Sequence, residues 1–373
     1  MKITRLETIP IRPYWMILKV HTDEGIVGLG EPIVEGHPQA LAQAIAEIGD
    51  HLIGEDPRRV EHHWQSIYRH SYYRLGAILC SALSAVDQAL WDITGKWMGQ
   101  PVYQLLGGKT RDRIRMYGWL GRPPYETDLV ASAKDWIARG FTAVKTCLYG
   151  FAHPLESPAY IDKVAEQMAA IREAVGNAVD IGVDFHGRST PALSTLLAKA
   201  IEPYHPFFIE EPVLPENIDA LAMMARSTPI PIATGERLYT RWGFREILEK
   251  QAAAILQPDL SHAGGISECR RIAAMAETYY VSMAPHAPTG PINLAAALQI
   301  DACIPNLLIQ EHVCTGEGYI KEPFQIVDGY LEGPSKPGLG IELDEEALAA
   351  KVYDGINVPC RLRHSDDGSV ADL

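Results

Sequence analysis

Ionisable residues recur where short apolar runs end in the second half of the chain. Six such runs end 23 to 27 residues apart, each with an acid or a histidine at or directly after its last residue: Asp184, Glu210, Glu236, Asp259, His286 and Glu311. A single charge at the end of a strand is usually only solvated, whereas six at the same level indicate a shared site. In a closed barrel of alternating strands and helices, that level is the mouth where active sites are built.

Three of these acids could hold a metal ion. Asp184, Glu210 and Glu236 come from three successive runs, so their carboxylates can converge on one point. Oxygen ligands without Cys or His suit a hard divalent cation, Mg²⁺ before Mn²⁺, and without a cation the three charges would repel one another. Because side chains alternate along a strand, we expect the adjacent Glu211 to face the helices or the rim.

Two histidines could move protons beside such a cation. His186 follows Asp184 by two residues, and strand alternation would place it on the same side. Asp259 and His286 end two successive runs, the sixth and seventh of the eight strands predicted below. The carboxylate of Asp259 could therefore orient and charge-stabilise the imidazole of a base. Strands three and seven of an eight-stranded barrel lie opposite each other, so the two histidines would address a bound molecule from opposite sides.

The remaining residues near these strand ends narrow the chemistry. Glu311 ends the last of these runs, and it could hydrogen-bond a developing oxyanion if it is protonated. His262 follows Asp259 by three residues, and a role behind the site and a plain loop role both stay open. No Gly-x-Ser-x-Gly elbow is present. The set therefore suits removal of a weakly acidic proton next to a carboxylate, aided by a divalent cation.

The elements that must position these residues alternate between strand and helix from residue 113 onward. We predict strands at 114–119, 142–148, 179–185, 205–210, 230–235, 254–258, 280–285 and 307–311, with helices between them. This alternation indicates a parallel sheet. Eight strands in about 200 residues favour a closed (β/α) barrel, although the pattern alone also permits an open, doubly wound sheet.

The regions on either side of this alternation have a different character. Residues 1–112 are typical of a mixed α+β unit, with a hairpin followed by helical patterns at 38–49, 57–70 and 80–97. Residues 113–322 form the predicted barrel. Residues 323–373 are rich in Gly and Pro, and we expect this segment to return to the N-terminal unit.

Composition argues against several classes of partner. The chain has 33 Lys and Arg against 47 Asp and Glu, a formal net charge of −14, which argues against binding nucleic acid or an anionic membrane surface. No apolar run approaches the ~20 residues of a membrane span, and the N-terminus lacks the apolar region of a signal peptide. The six cysteines contain no Cys-x-x-Cys pair. We therefore expect a cytoplasmic protein with reduced thiols.

Several motifs at the strand ends resemble those of the enolase superfamily, in its mandelate racemase group. They are Asp184-Phe185-His186-Gly187-Arg188, Ile209-Glu210-Glu211-Pro212-Val213, Gly235-Glu236-Arg237, Gln257-Pro258-Asp259-Leu260-Ser261-His262 and Ala284-Pro285-His286. The resemblance spans nearly the whole chain, and within the group it is strongest to the galactonate dehydratases. It implies a modified TIM barrel, (β/α)₇β, with an α+β capping domain formed by the N-terminal region and the C-terminal segment.

The resemblance also implies a role for each matching residue. Asp184, Glu210 and Glu236 would bind Mg²⁺, and the substrate would be a small sugar acid. His286, made more basic by Asp259, would take the C2 proton. His186 would protonate the departing C3 hydroxyl, and Glu311 would stabilise the enediolate. The product would be a 2-dehydro-3-deoxy acid, and the family habit implies a homo-oligomer.

Departures from the family pattern keep alternatives open. Racemases of the group have a Lys-x-Lys motif on the second barrel strand. The matching residues here, Lys145-Thr146-Cys147, lack the second lysine. Galactonate dehydratases have Asn at the position of Cys147, and the segments 121–124 and 312–316 also differ from theirs. Another aldonate as substrate, or a C2 epimerase or racemase that uses two histidines, therefore stays open. The complete set of ionisable residues argues against a non-catalytic barrel.

Overall fold

The computed structural model describes residues 1–74, 76–121, 128–355 and 362–372, and the N-terminal part of the chain is an α+β unit. Its antiparallel sheet has the order β1-β2-β3, with strands β1 Ile3–Ile11, β2 Trp15–Thr22 and β3 Val27–Gly30. Four helices follow, α1 Pro38–Leu52, α2 Val60–His70, α3 Ala77–Met98 and α4 Val102–Leu105. The three predicted helical patterns are confirmed, with small shifts at their ends.

Helix α3 packs directly onto strand β3. A Cβ at Gly28 would overlap the backbone carbonyl of Ala89, and one at Gly30 would overlap that of Ala85. Both positions therefore need glycine, because the helix approaches the strand too closely for a side chain. This contact fixes α3 beside the hairpin.

Strands and helices alternate through the central part of the chain. Strand β4 Arg113–Arg115 comes first, and seven parallel strands follow in chain order, β5 Gly118–Leu120, β6 Ala143–Thr146, β7 Asp180–Asp184, β8 Phe208–Glu210, β9 Ile232–Thr234, β10 Ile255–Leu256 and β11 Ser282–Met283. A helix follows each, namely α5 Leu129–Ala138, α6 Pro158–Val175, α7 Pro191–Ile201, α8 Ile218–Ser227, α9 Thr240–Glu249, α10 Gly265–Thr278 and α11 Pro291–Cys303. The predicted alternation is confirmed.

The parallel sheet closes into a barrel through the segment after α11. Leu307 pairs in parallel with Met283 of β11, and Gln310 pairs in parallel with Met116, just before β5. Residues 307–310 therefore serve as the eighth strand. The fold is the (β/α)₇β barrel that the sequence favoured, and the open doubly wound sheet is excluded.

Side chains fill the interior of the barrel. One buried cluster takes a residue from almost every strand or its edge: Tyr117, Ala143, Phe208, Ala233, Ile255, Ala284 and Ile309. Strand β7 contributes Gly182, where a Cβ would overlap the ring of Phe208. The interior is thus a packed core, as in other barrels of this type, and the strands can hold the residues at their ends in fixed positions.

The apolar run predicted as one strand at 114–119 belongs to two sheets, so this prediction was wrong in its detail. Strand β4 pairs antiparallel with β13 Tyr330–Glu332, which in turn pairs with β12 Ile326–Val327. Strand β5 joins the barrel instead. Periodicity could not show this division, because both halves of the run are apolar and extended.

The C-terminal segment makes contacts with the N-terminal unit. Glu345, on helix α12 Glu345–Ala349, forms an ion pair with Lys19 at 2.6 Å, and the backbone N–H of Arg12 donates to the carbonyl of Lys351. Further along, His364 and Asp366 contact Phe151 and His153 in the loop after β6 instead. The limits at residues 112 and 322 stay a prediction. Among the described residues, no helix has the length and apolar character that crossing a membrane requires.

Candidate active site

Three carboxylates meet at the carboxyl ends of adjacent barrel strands. Asp184 and Glu210 end β7 and β8 and are paired side by side in the sheet, and Glu236 lies two residues after β9. One carboxylate oxygen from each lies within 4.8 Å of those of the other two. The side chains of Asp184 and Glu210 are 2 % and 0 % exposed, and that of Glu236 is 9 % exposed. The predicted cluster is therefore assembled as the sequence indicated.

This spacing fits a divalent cation. In an octahedral Mg²⁺ site with oxygens at about 2.1 Å, adjacent ligands lie about 3 Å apart and opposite ones about 4 Å apart, which the cluster can satisfy. Its donors are all carboxylate oxygens, the ligands that hard divalent cations prefer. The cluster could thus hold a metal ion through Asp184, Glu210 and Glu236.

Glu211 turns away from the cluster, as the alternation of side chains requires. It adopts a left-handed backbone conformation, with φ of 41°. Its Oε1 accepts hydrogen bonds from the Thr234 hydroxyl at 2.6 Å and from the backbone N–H of Gly235 at 2.8 Å. Glu211 is fully buried, and its carboxylate joins the end of β8 to the end of β9. That it faces the helices or the rim stays a prediction.

His286 and Asp259 form a hydrogen-bonded pair at the ends of neighbouring strands. The two residues are bridge partners in the sheet, and Nδ1 of His286 lies 2.8 Å from Oδ2 of Asp259. Nε2 faces the anionic cluster, 3.3 Å from Glu236. Burial lowers the pKa of His286, but the negative charges of Glu236, Glu311 and Asp259 outweigh burial and hold the pKa well above its usual range.

Asp259 is held from two further directions. Its Oδ1 accepts hydrogen bonds from the backbone N–H of Ser261 at 2.6 Å and from the side-chain amide of Asn293 at 3.2 Å. Asn293 lies in the first turn of α11, and the backbone N–H groups of Gly290, Ile292 and Asn293 all donate to the carboxylate of Glu31. A residue of the N-terminal unit thus fixes the helix end that supports Asp259.

His186 lines the same cavity as Asp184 and His286, but it does not lie on a strand. Its φ of 56° is left-handed, and its backbone N–H donates to Oδ1 of Asp184 at 2.7 Å. Arg237 also donates to the His186 carbonyl at 2.8 Å. The expectation from strand alternation was therefore wrong in its reasoning, since a tight turn closed by the Asp184 carboxylate places this imidazole.

Lys145 is the residue whose importance the sequence did not reveal. It is fully buried at the end region of β6, and its Nζ lies 2.7 and 2.8 Å from the oxygens of Glu210 and 2.9 Å from Glu311. Burial opposes the charged ammonium, yet the attraction of these carboxylates outweighs it and raises the pKa of Lys145 well above its usual range. A lone lysine within a short apolar strand was the available signal.

Glu311 is an ionised acceptor rather than a hydrogen-bond donor. Its Oε1 accepts from the indole N–H of Trp119 at 2.6 Å and lies beside Lys145, and its Oε2 accepts from the backbone N–H of Ala287 at 2.8 Å. Burial raises the pKa of Glu311, but Lys145 and His286 outweigh burial and lower the pKa to about 2. Glu311 therefore does not meet the condition under which it could donate to an oxyanion, namely protonation, because the surrounding donors stabilise the carboxylate.

Several of these groups border one cavity of about 1910 Å³. This volume exceeds that of a typical small-ligand pocket. The barrel contributes Asp184, His186, Glu236 and His286, and the N-terminal unit contributes Tyr14 and Trp15. The segment 121–124 that departs from the family pattern also reaches this cavity at Gly121, but residues 122–124 lie outside the described residues.

A second group of possible ligands lies where the C-terminal segment meets the loop after β6. It consists of His153, His364 and Asp366. The two imidazole rings are stacked, with centroids 4.0 Å apart and planes at 19°. The lone pairs of nearly parallel rings do not converge on a common point, so this arrangement fits a His–Asp contact at 3.0 Å rather than a metal site.

Family comparisons agree with this geometry. Residues 7–107 match the N-terminal domain model of the mandelate racemase and muconate lactonizing enzymes, and residues 128–347 match the enolase C-terminal domain-like model. The chain belongs to the enolase superfamily. Its membership of the mandelate racemase and muconate lactonizing enzyme group agrees with the motifs at the strand ends.

Curated members of the superfamily match this chain from end to end. A D-galactonate dehydratase of Variovorax paradoxus is 46% identical, and one of Ralstonia nicotianae is 45% identical, with 100% of both chains covered in each case. Among solved structures, a mandelate racemase/muconate lactonizing enzyme from a Sulfitobacter species has a TM-score of 0.91 at 36% identity. The match covers 96% of this chain and 99% of that one. This enolase superfamily member therefore shares the whole architecture of its relatives.

Proposed function

We propose that this protein is a Mg²⁺-dependent aldonate dehydratase, with D-galactonate as the first candidate substrate and the 2-dehydro-3-deoxy acid as product. The observation that carries the proposal is the meeting of two imidazoles and a carboxylate cluster in one cavity. His186 follows the third barrel strand and His286 the seventh, so they face the cavity from opposite walls. This arrangement suits removal of a proton on one side of a substrate and delivery of a proton on the other.

His286 is the base in this proposal. Its Nδ1 is engaged by Asp259, which leaves Nε2 as the nitrogen that faces the cluster. Nε2 would take the proton from C2, and the electron pair of the broken C–H bond would move toward the carboxylate of the substrate. Asp259 would stabilise the imidazolium that results.

His186 is the acid. The electron pair returning toward C2 forms a double bond to C3, and the C3 hydroxyl leaves as water with a proton from His186. The enol then releases the proton of its C2 hydroxyl and takes up a proton at C3, which gives the 2-keto acid, so the overall change is the loss of one water. The turn at Asp184 holds His186 beside the cluster for this step.

Lys145 and Glu311 prepare the region where negative charge develops. The Lys145 ammonium lies between Glu210 and Glu311 at 2.7 to 2.9 Å. An ammonium fixed in a buried position stabilises an adjacent developing oxyanion without reorganisation. Glu311 holds the ammonium there, and the centroid of the Trp119 ring lies 4.6 Å from Nζ. Glu311 therefore acts through Lys145 rather than as a donor itself.

Asp184, Glu210 and Glu236 would hold the Mg²⁺ ion. When bound, a divalent cation there supplies positive charge that attracts the substrate carboxylate and offsets the negative charge facing His286. The curated relatives named D-galactonate dehydratase support galactonate as the first substrate to test. Cys147, which burial keeps as a thiol by raising its pKa, lines the cavity at a position where the sequence departs from the family pattern, so related aldonates belong in the same test.

A panel of five- and six-carbon sugar acids with Mg²⁺ tests the proposal. We expect a 2-keto product from D-galactonate or a close stereoisomer, detected by its reaction with semicarbazide. The reaction is also run in D₂O, where an epimerase or racemase would place deuterium at C2 with inversion and without loss of water. The absence of a 2-keto product from every acid would refute the dehydratase, and the absence of any Mg²⁺-dependent thermal shift would favour a non-catalytic barrel.

A further inference from the structure

His262 lines the same cavity as His186 and His286, and the proposed reaction gives it no task. It lies in the loop after β10, three residues beyond Asp259, and its side chain is half-buried. Nδ1 of its ring lies 2.7 Å from the hydroxyl of Ser81 on α3. The contact joins the barrel loop to a helix of the N-terminal unit, with Ser81 fully buried.

The loop that carries His262 is fixed along its length. The backbone N–H of His262 donates to the carbonyl of Asp259 at 3.0 Å. Gln88 donates to the carbonyl of Leu260 at 2.9 Å, and the backbone N–H of Gly264 donates to the hydroxyl of Ser84 at 2.9 Å. Three contacts to α3 therefore hold this loop, so the imidazole occupies one position before any ligand arrives.

The hydrogen bond to Ser81 determines which proton the ring presents. Among the described residues, the Ser81 hydroxyl has no acceptor other than Nδ1 of His262. The hydroxyl therefore donates to Nδ1, and in the neutral ring the remaining proton lies on Nε2. Nε2 has no hydrogen-bond partner among the residues that the structure describes, which leaves a donor available at the wall of the cavity.

We infer that His262 binds a hydroxyl group in the tail of the sugar acid, beyond C3, and that Ser81 is its positioning residue. This inference rests on the proposed function, in which the carboxylate cluster, His286 and His186 engage C1, C2 and C3. Ala77, one turn before Ser81 on α3, and Tyr239 also border the cavity. The tail would thus extend toward the wall between α3 and the loop after β10, where His262 offers its N–H.

A fixed donor at this wall makes chain length a criterion for the substrate. An acid that lacks the matching hydroxyl leaves the Nε2 proton without a partner, and sites built to bond a hydroxyl discriminate strongly against such analogues. His262 therefore sets the preference for long polyhydroxy acids, because the reacting groups engage only C1, C2 and C3.

The test compares acids of four, five and six carbons that share the configuration of galactonate at C2 and C3. His262→Leu removes the donor, and His262→Gln keeps an N–H at a similar distance from the backbone. We expect His262→Leu to lower kcat/KM for the six-carbon acid by roughly tenfold or more, mainly through KM. The four-carbon acid should change by less than about twofold, and His262→Gln should recover part of the loss.

Ser81 and a remote histidine supply the controls. Ser81→Ala should raise KM for the six-carbon acid alone, and Ser81→Thr should return this KM to the wild-type value. A merely structural role of Ser81 would not predict this dependence on chain length. His62→Leu, an exposed change on α2, should leave all constants unchanged. An equal loss for all chain lengths, or no loss for any, would overturn the inference.

A binding measurement keeps the inference separate from the proposed function. Calorimetry with Mg²⁺ and the same three acids is run on wild type and His262→Leu. If wild type binds the acids without dehydrating them, the proposed function fails, whereas a loss of affinity confined to the longer acids still supports the role of His262. Loss of affinity independent of chain length, or no acid binding to wild type, would contradict it.

Discussion

The two histidines of the cavity differ in their surroundings, and these differences make their roles separable. His286 is bonded to the buried carboxylate of Asp259 at 2.8 Å, whereas His186 is held through its backbone by Asp184 and Arg237. An imidazole oriented by a carboxylate is suited to take a proton. The roles of base and acid therefore belong to individual residues, and single substitutions can test them.

His286→Asn should abolish both exchange of the C2 proton in D₂O and dehydration, because no base remains. His186→Asn should abolish dehydration while C2 exchange continues, because only the acid is lost. Proton NMR of the recovered acid measures exchange, and the 2-keto product measures dehydration. Equal loss of exchange in both variants, with Mg²⁺ binding intact by calorimetry, would contradict the assignment.

Lys145 compensates the charge of several buried carboxylates, so its removal should be costly. Lys145→Met leaves Glu210 and Glu311 without their cation, and we expect the free energy of unfolding to fall by about 3 kcal/mol. Lys19→Met is the matched control, because its partner Glu345 is exposed, and the expected loss is below about 1 kcal/mol. Urea unfolding measures both, and similar losses would contradict the assignment of Lys145.

At the scale of elements, helix α3 connects the N-terminal unit to the barrel. Asp87 on α3 is buried, and its carboxylate accepts hydrogen bonds from the hydroxyl and the backbone N–H of Ser267, at 2.6 and 2.9 Å, in the first turn of α10. It therefore caps the helix that follows the Asp259 loop. The same helix α3 contacts that loop through Ser81, Ser84 and Gln88.

Asp87 should make the stability of this junction depend on pH. Burial raises the pKa of Asp87 to about 7, whereas an unfolded Asp titrates near 3.9. Between these values the folded chain retains a proton that the unfolded chain releases, so the free energy of unfolding should fall as pH rises from about 4 to about 7. Urea unfolding should give Asp87→Asn a shallower decline, and parallel profiles would refute the prediction.

Element positions were largely predictable from sequence, and the exceptions have physical causes. The βα units were found because apolar strands and helices alternate with regular spacing. The run at 114–119 was misassigned because β4 pairs with β13, more than 200 residues later. The eighth strand was located by its apolar residues, but only its pairing with Met283 and Met116 shows that the barrel closes.

At the scale of the whole molecule, the protein carries a net charge of −14, whereas binding an anionic substrate requires positive charge in the cavity. Asp184, Glu210, Glu236 and Glu311 bring four carboxylates to one mouth, and a bound dication together with Lys145 would offset most of that negative charge. An anionic substrate is therefore compatible with an acidic protein. The homo-oligomer and the cytoplasmic location stay predictions, the first open to light scattering after gel filtration.

Metal removal should affect both activity and stability of the whole chain. Treatment with EDTA should abolish dehydration, and Mg²⁺ should restore it. Magnesium at about 100 times its Kd should stabilise the folded state by about 2.7 kcal/mol, seen as a higher Tm. Asp184→Asn combined with Glu236→Gln should lose this increase, and an unchanged increase in that variant would place the metal elsewhere.

The sequence by itself determined the set of chemical groups and the level of the fold at which they lie. Side-chain chemistry and the spacing of βα units are local properties, so Asp184, Glu210, Glu236, Asp259, His286 and Glu311 could be found without coordinates. The tertiary structure decided the pairing, the position and the protonation of those groups. Lys145 fixes Glu311 as a carboxylate, Arg237 holds the carbonyl of the His186 turn, and Ser81 sets the proton of His262. Each of these contacts comes from a neighbour distant in sequence. The physical reason is that pairing, burial and protonation are set by contacts across the fold.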